Sequence, residues 1–160
     1  MRDFVHLHLH SEYSLLKGAC RIAELPAAVL SRGQKAVAIT DLGVMYGCAD
    51  FSDACLRAGV KPIIGCELTV DFGSVRGSVV LLVKDARGYG NLTDLVTKSC
   101  TTGRDVRGEE LFARSEGLVC LSGGKRGPLN HLSERGDREG AGKLAALFRE
   151  SFGGDFYIEL

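Results

Sequence analysis

Four near-continuous apolar runs set the strongest limit on the fold. They are "AVAIT" (residues 36–40), "KPIIGCELTV" (61–70), "SVVLLVK" (78–84) and "GLVCLS" (117–122). Strands this apolar are buried on both faces, which points to a parallel sheet covered by helices. The segments between them read as those helices. "IAELPAAVLSRG" (22–33) tolerates Pro26 only in its first turn, and Gly33 supplies its stop. "CADFSDACLRAG" (48–59) ends at Gly59, and a further helix is expected near 89–100. In 142–152, Leu144, Leu147, Phe148 and Phe152 share one helical face. "DFGS" (71–74) reads as a turn, the Gly- and Arg-rich stretch 101–110 as a connector, and "DFYIEL" (155–160) as a last strand. The fold class is α/β, and the pattern alone leaves an open sheet and a barrel both open.

A chain of 160 residues suits a single domain, residues 1–160, with no internal repeat. It stops on a strand, an odd place for an α/β protein to finish, so a fragment of something longer is expected. No apolar run could span a bilayer and the N-terminus is no signal peptide, so a cytoplasmic location and no membrane partner are expected. Twenty basic residues balance twenty acidic ones, which argues against a domain that grips DNA by itself. The six cysteines (Cys20, Cys48, Cys55, Cys66, Cys100 and Cys120) form no CxxC pair and read as reduced core residues. Neither a Gly-x-Gly-x-x-Gly turn after a strand nor a P-loop is present.

The chemistry concentrates in "VHLHLHSEYSLLKG" (5–18). If residues 4–10 form a strand, His6, His8 and His10 line one face and Val5, Leu7 and Leu9 the other. Imidazole is the commonest metal-binding side chain at neutral pH. His6, deepest in such a strand, reads better as a hydrogen-bonded structural histidine. Chemistry in α/β folds collects at the carboxyl ends of strands, which here carry His10, Asp41 and Glu67. A carboxylate between Cys66 and Leu68 needs a cation, either a metal ion or a basic side chain. Asp41 carries the same choice, plus a helix-cap or turn role. Arg104, Arg107, Arg114, Lys125 and Arg126 form a second, basic group in two loops, read chiefly as solvated charge. His131 stands alone on a surface helix and is given no role.

Five blocks, "HLHSEYSLLKGA", "AVAITDLGVMYG", "AGVKPIIGCELTV", "LLVKDARGYGNL" and "GLVCLSGGKRG", share the order and spacing of one family. The chain resembles the N-terminal PHP (polymerase and histidinol phosphatase) domain of bacterial DNA polymerase III alpha subunits, of the DnaE replicative or error-prone type. The resemblance implies a distorted (β/α)7 barrel, here its N-terminal part, cut after the strand ending at Leu160. It implies His8, His10 and Glu67 as metal ligands, with Asp41 matching the aspartate of a Thr-Asp-His block. It also implies donors at four positions where this chain has none: Lys17 for aspartate, Leu42 for histidine, Ser78 for histidine and Gly124 for cysteine.

A protonated lysine has no lone pair to give, and leucine and glycine side chains cannot ligate. The resemblance with these departures implies a PHP domain whose metal site is degenerate or weak and whose role is mainly structural. No catalytic residue is expected in this segment, although the parent would be a DNA-directed DNA polymerase, a nucleotidyltransferase. No tightly bound cofactor is expected, beyond one weakly held zinc or manganese on His8, His10 and Glu67; magnesium would serve the parent polymerase. Lys17 is expected to stand in for a cation by pairing with Glu67 or Asp41. Partners would be the remaining polymerase domains, DNA through the parent enzyme, and other replisome subunits. Two alternatives stay open: a metal-dependent phosphoesterase or 3'-5' proofreading exonuclease at this site, and a non-catalytic protein-interaction module.

Overall fold

The computed structural model describes residues 4–160. The chain forms two compact units, Met1–Cys66 and Glu67–Leu160, and one long strand runs from the first into the second.

In the first unit, helix α1 (Leu25–Ser31) leads to strand β1 (Ala36–Ile39), helix α2 (Cys48–Arg57) and strand β2 (Lys61–Asp71). Pro26 does lie in the first turn of α1, where its missing N–H costs nothing. β1 runs parallel to the first half of β2, with Ala36 opposite Lys61 and Ile39 opposite Ile64. The α2 crossover supplies the length that a parallel pair requires. Ile22, Leu25, Val29, Val37, Ile39, Phe51 and Val60 close the core beneath it. The helices show a 3.6-residue period because burial selects one stripe of each, whereas β1, buried on both faces, reads as a continuous apolar run.

The histidine segment departs from expectation. Residues 4–10 are not a regular strand; they touch β1 through one isolated bridge, His6 opposite Val37. Ala38 N donates to His6 O at 2.8 Å and Thr40 N to Leu9 O at 2.8 Å. Leu9 N, however, donates to Thr40 Oγ1 at 2.8 Å rather than to a backbone carbonyl. A side chain substitutes for a ladder partner there, and the strand stays irregular. His6, read as a hydrogen-bonded structural histidine, is exposed and packs edge-on against Phe4, with ring centroids 4.8 Å apart.

The second unit holds the outer half of β2 and strands β3 (Arg76–Val83), β4 (Val106–Arg107), β5 (Leu118–Leu121) and β6 (Phe156–Tyr157). Its helices are α3 (Ala86–Thr102), α4 (Gly108–Phe112), α5 (Pro128–Glu134) and α6 (Arg138–Phe152). The strand order is β2-β3-β5-β6, with β4 pairing β2. β2 with β4 and β5 with β6 are parallel, but β3 and β5 are antiparallel, with Val80 opposite Leu121 and Val83 opposite Leu118. The sheet is therefore mixed, not wholly parallel. The reason is short connections: a four-residue turn, closed by Phe72 N on Val75 O at 2.9 Å, leaves β3 no room for a crossover. The stretch read as a connector contains β4 and the start of α4. Phe72, Phe112, Phe152 and Phe156 cluster around Phe148, with centroids 4.8–6.3 Å apart, and seat α4 and α6.

Candidate metal centre

His8 and His10 are half-buried and their rings meet edge to face, 5.4 Å between centroids. They are the two imidazoles that the structure brings together. Asp41 follows β1 and is 2% exposed, so its charge must be satisfied inside the protein. Three donors do so. Ser11 N donates to Oδ1 at 2.7 Å, Ser14 Oγ to the same oxygen at 2.5 Å, and Ser11 Oγ to Oδ2 at 2.6 Å. Ser14 Oγ in turn accepts from Leu42 N at 3.0 Å. Asp41 thus clamps the turn after the histidines to the end of β1. Cys66 Sγ donates to the Asp41 carbonyl at 3.2 Å, which ties β2 to the same point.

The expected pairing of Lys17 with Asp41 is not what holds this carboxylate. Lys17 is exposed, and it forms no ion pair among the described residues. The serines outcompete it because they are short, already buried, and need no desolvation of an ammonium. The two hydroxyls of "HSEYS" (residues 10–14), Ser11 and Ser14, carried the only sequence signal for this clamp. Hydrophobic periodicity does not register them. Gly18 closes the turn: a Cβ there would lie 1.9 Å from Ser11 O, so the two backbone segments can approach only with glycine.

Glu67 lies on β2, next to Cys66, and is 1% exposed. His8, His10 and Glu67 each offer one ligand atom. Imidazole nitrogens and a carboxylate oxygen are donor types that a metal ion takes. At the positions where the resemblance implies further donors, this chain has Lys17, Leu42, Ser78 and Gly124. Leu42 is half-buried and Lys17 exposed. Ser78 is buried in β3, 7% exposed, and Gly124 takes a left-handed conformation at φ 53°.

Of the basic group, Arg104 forks onto Glu110 at 2.7 and 2.9 Å, and Arg114 lies 3.8 Å from Asp94. Glu110 also pairs with Lys98 and accepts from Arg107 N at 3.0 Å. These contacts, Arg104 first, hold the Glu110 carboxyl well below the usual carboxylate range. Lys125 and Arg126 are exposed on the turn before α5, while His131 on α5 bonds Arg76 O through Nδ1 at 2.9 Å. All six cysteines are thiols, four of them buried. Burial, and secondarily the Asp41 charge, push the Cys48 thiol up to about 11.

These features define a class: an α/β protein with a His-x-His pair and a buried strand glutamate. The chain belongs to the PHP domain family, which it matches over residues 6–160. It is 38% identical to the DNA polymerase III subunit alpha of Treponema pallidum over 98% of its own length, and 33% identical to that of Escherichia coli over 98%. It spans only 15% and 14% of those relatives. A solved structure from Bifidobacterium adolescentis, named as a candidate metal-dependent phosphoesterase, aligns with 89% of this chain and 54% of its own. The TM-score is 0.50 at 15% identity, a likeness of fold. No helix among the described residues is long and apolar enough to cross a membrane.

Proposed function

We propose that this chain is the PHP domain of a DNA polymerase III alpha-type enzyme, with a degenerate metal site and a mainly structural role in the cytoplasm. The observation that carries this reading is the residue set at the four implied donor positions: Lys17, Leu42, Ser78 and Gly124. A cluster of several ions needs more donors than two imidazoles and a carboxylate. His8, His10 and Glu67 hold at most one ion weakly. Asp41 serves the fold, since its oxygens are occupied by Ser11 and Ser14. Nucleotidyl transfer, contact with DNA and contact with replisome subunits belong to the rest of the parent chain.

The retained His8, His10 and Glu67 favour a second reading, a metal-dependent phosphoesterase or 3'-5' exonuclease in which bound metal activates water. Elemental analysis separates the two. The protein is purified without chelator, dialysed against zinc or manganese, and assayed on a phosphodiester. Under about one equivalent of ion, removable by mild chelation and without hydrolysis, is the expected result. Two or more tightly held ions with hydrolysis lost in His8→Ala would overturn it in favour of the phosphoesterase.

A further inference from the structure

The turn that follows the histidines carries an apolar surface with no role in the site. Leu15 is 82% exposed, Leu16 102%, Tyr46 71% and Tyr13 36%. Leu16 has φ 62°, the one non-glycine at positive φ among the described residues. That conformation costs an L-residue free energy, and here it points a leucine straight into water. Tyr13, Leu15, Leu42, Val44 and Tyr46 form the apolar lining of a groove of about 480 Å³, which Glu12 and Ser14 complete.

This surface is held rigidly. Ser11 and Ser14 fasten the turn to Asp41, and Ser14 O accepts from Lys17 N at 2.9 Å and Gly18 N at 2.8 Å. The Tyr13 ring lies so close to Gly47 that a Cβ there would come within 2.8 Å of it. A strained, exposed apolar knob beside a mostly apolar groove is the kind of surface that a partner covers. Two of the residues that replace implied metal donors belong to it: Leu42 lines the groove, and Lys17 follows Leu16 as a cation with no ion pair among the described residues.

We propose that this face docks the remainder of the parent polymerase chain, through an apolar segment that carries an acidic residue for Lys17. The proposal rests on the reading of the chain as a polymerase PHP domain. The matched segment is only about 15% of the relatives' length, so most of such a polypeptide is tethered to this surface. A tethered partner needs little buried area because its effective concentration is high. A second copy, which would bury the patch on both partners toward roughly 1,200 Å² in total, is the rival occupant that the experiment separates.

Hydroxyl-radical footprinting of the 160-residue chain and of the full-length polypeptide from its gene tests this. In the full-length chain, oxidation of Tyr13, Leu15, Leu16 and Tyr46 should slow by about fivefold or more, as expected for side chains moved into an interface core. Leu16→Gly adds a second readout. Glycine adopts the φ of 62° without strain, so the variant should melt no lower than wild type in the 160-residue chain. In the full-length chain it should release the domain to limited proteolysis about fivefold faster, because the knob is gone. Equal oxidation in both proteins overturns the proposal, as does a gene product that ends at Leu160. Protection in the short chain that grows with its concentration assigns the face to a second copy and overturns it too. Tightly bound metal with hydrolysis would instead defeat the structural-role reading while leaving the footprint to be judged separately.

Discussion

Replacing Asp41 by alanine should destabilise the first unit more than almost any other polar substitution in it. The carboxylate is buried and accepts three hydrogen bonds of 2.5–2.7 Å, from Ser11 N, Ser11 Oγ and Ser14 Oγ. Bonds to a charged acceptor contribute about 1.5–3 kcal/mol each, so the three sum to roughly 4.5–9 kcal/mol. Desolvating the carboxylate offsets several kcal/mol of that, and alanine removes this cost along with the bonds. The net loss is about 3–5 kcal/mol, because three buried donors are left without an acceptor. At a urea slope of about 2 kcal/mol per molar, the midpoint falls by about 1.5–2.5 M. Asp41→Asn keeps the shape and one carbonyl oxygen, so it should lose about half as much. Urea titration followed by circular dichroism reads both variants. A loss under about 1 kcal/mol for Asp41→Ala would refute the clamp. So would a loss of bound metal in Asp41→Asn at unchanged stability, which would make Asp41 a ligand.

Three further outcomes follow from the geometry. Glu110, held below its ordinary value of 4.5 by Arg104, Lys98 and the Arg107 N–H, contributes stability that is present above that pH and lost as pH falls beneath it. Melting temperatures of Glu110→Gln should therefore fall less steeply than wild type between pH 4.5 and about 2.5; parallel curves would show that the network is not worth its geometry. Gly88→Ala should cost about 2–3 kcal/mol, since its Cβ would lie 1.8 Å from Gly117 O where α3 crosses the entry to β5; thermal unfolding of that variant at wild-type temperature would contradict the close approach. At about pH 8, a thiol reagent should modify Cys20 and Cys100 quickly and the buried Cys48, Cys55, Cys66 and Cys120 only after denaturation. Rapid modification of more than two thiols in the native protein would disagree with the packing.

Short-range signals in the sequence were enough for β1, α2, β2, β3, α3, β5 and α6, because helical and strand periodicity, glycine stops and proline positions act within a few residues. Gly33 and Gly59, at φ 72°, sit just past the helices they were read as ending. The donor types were equally legible, since an imidazole or carboxylate is visible wherever the chain places it. Tertiary structure alone decided the rest. The antiparallel run of β3 and β5 depends on partners roughly forty positions apart, and apolar runs look alike in either direction. The irregularity of the histidine segment depends on Thr40, thirty-one residues from Leu9. Asp41 found Ser11 and Ser14, not Lys17, because a buried carboxylate is satisfied by whichever donors the fold brings within reach at least desolvation cost. Periodicity carries no record of such contacts; they exist only once the chain has closed on itself.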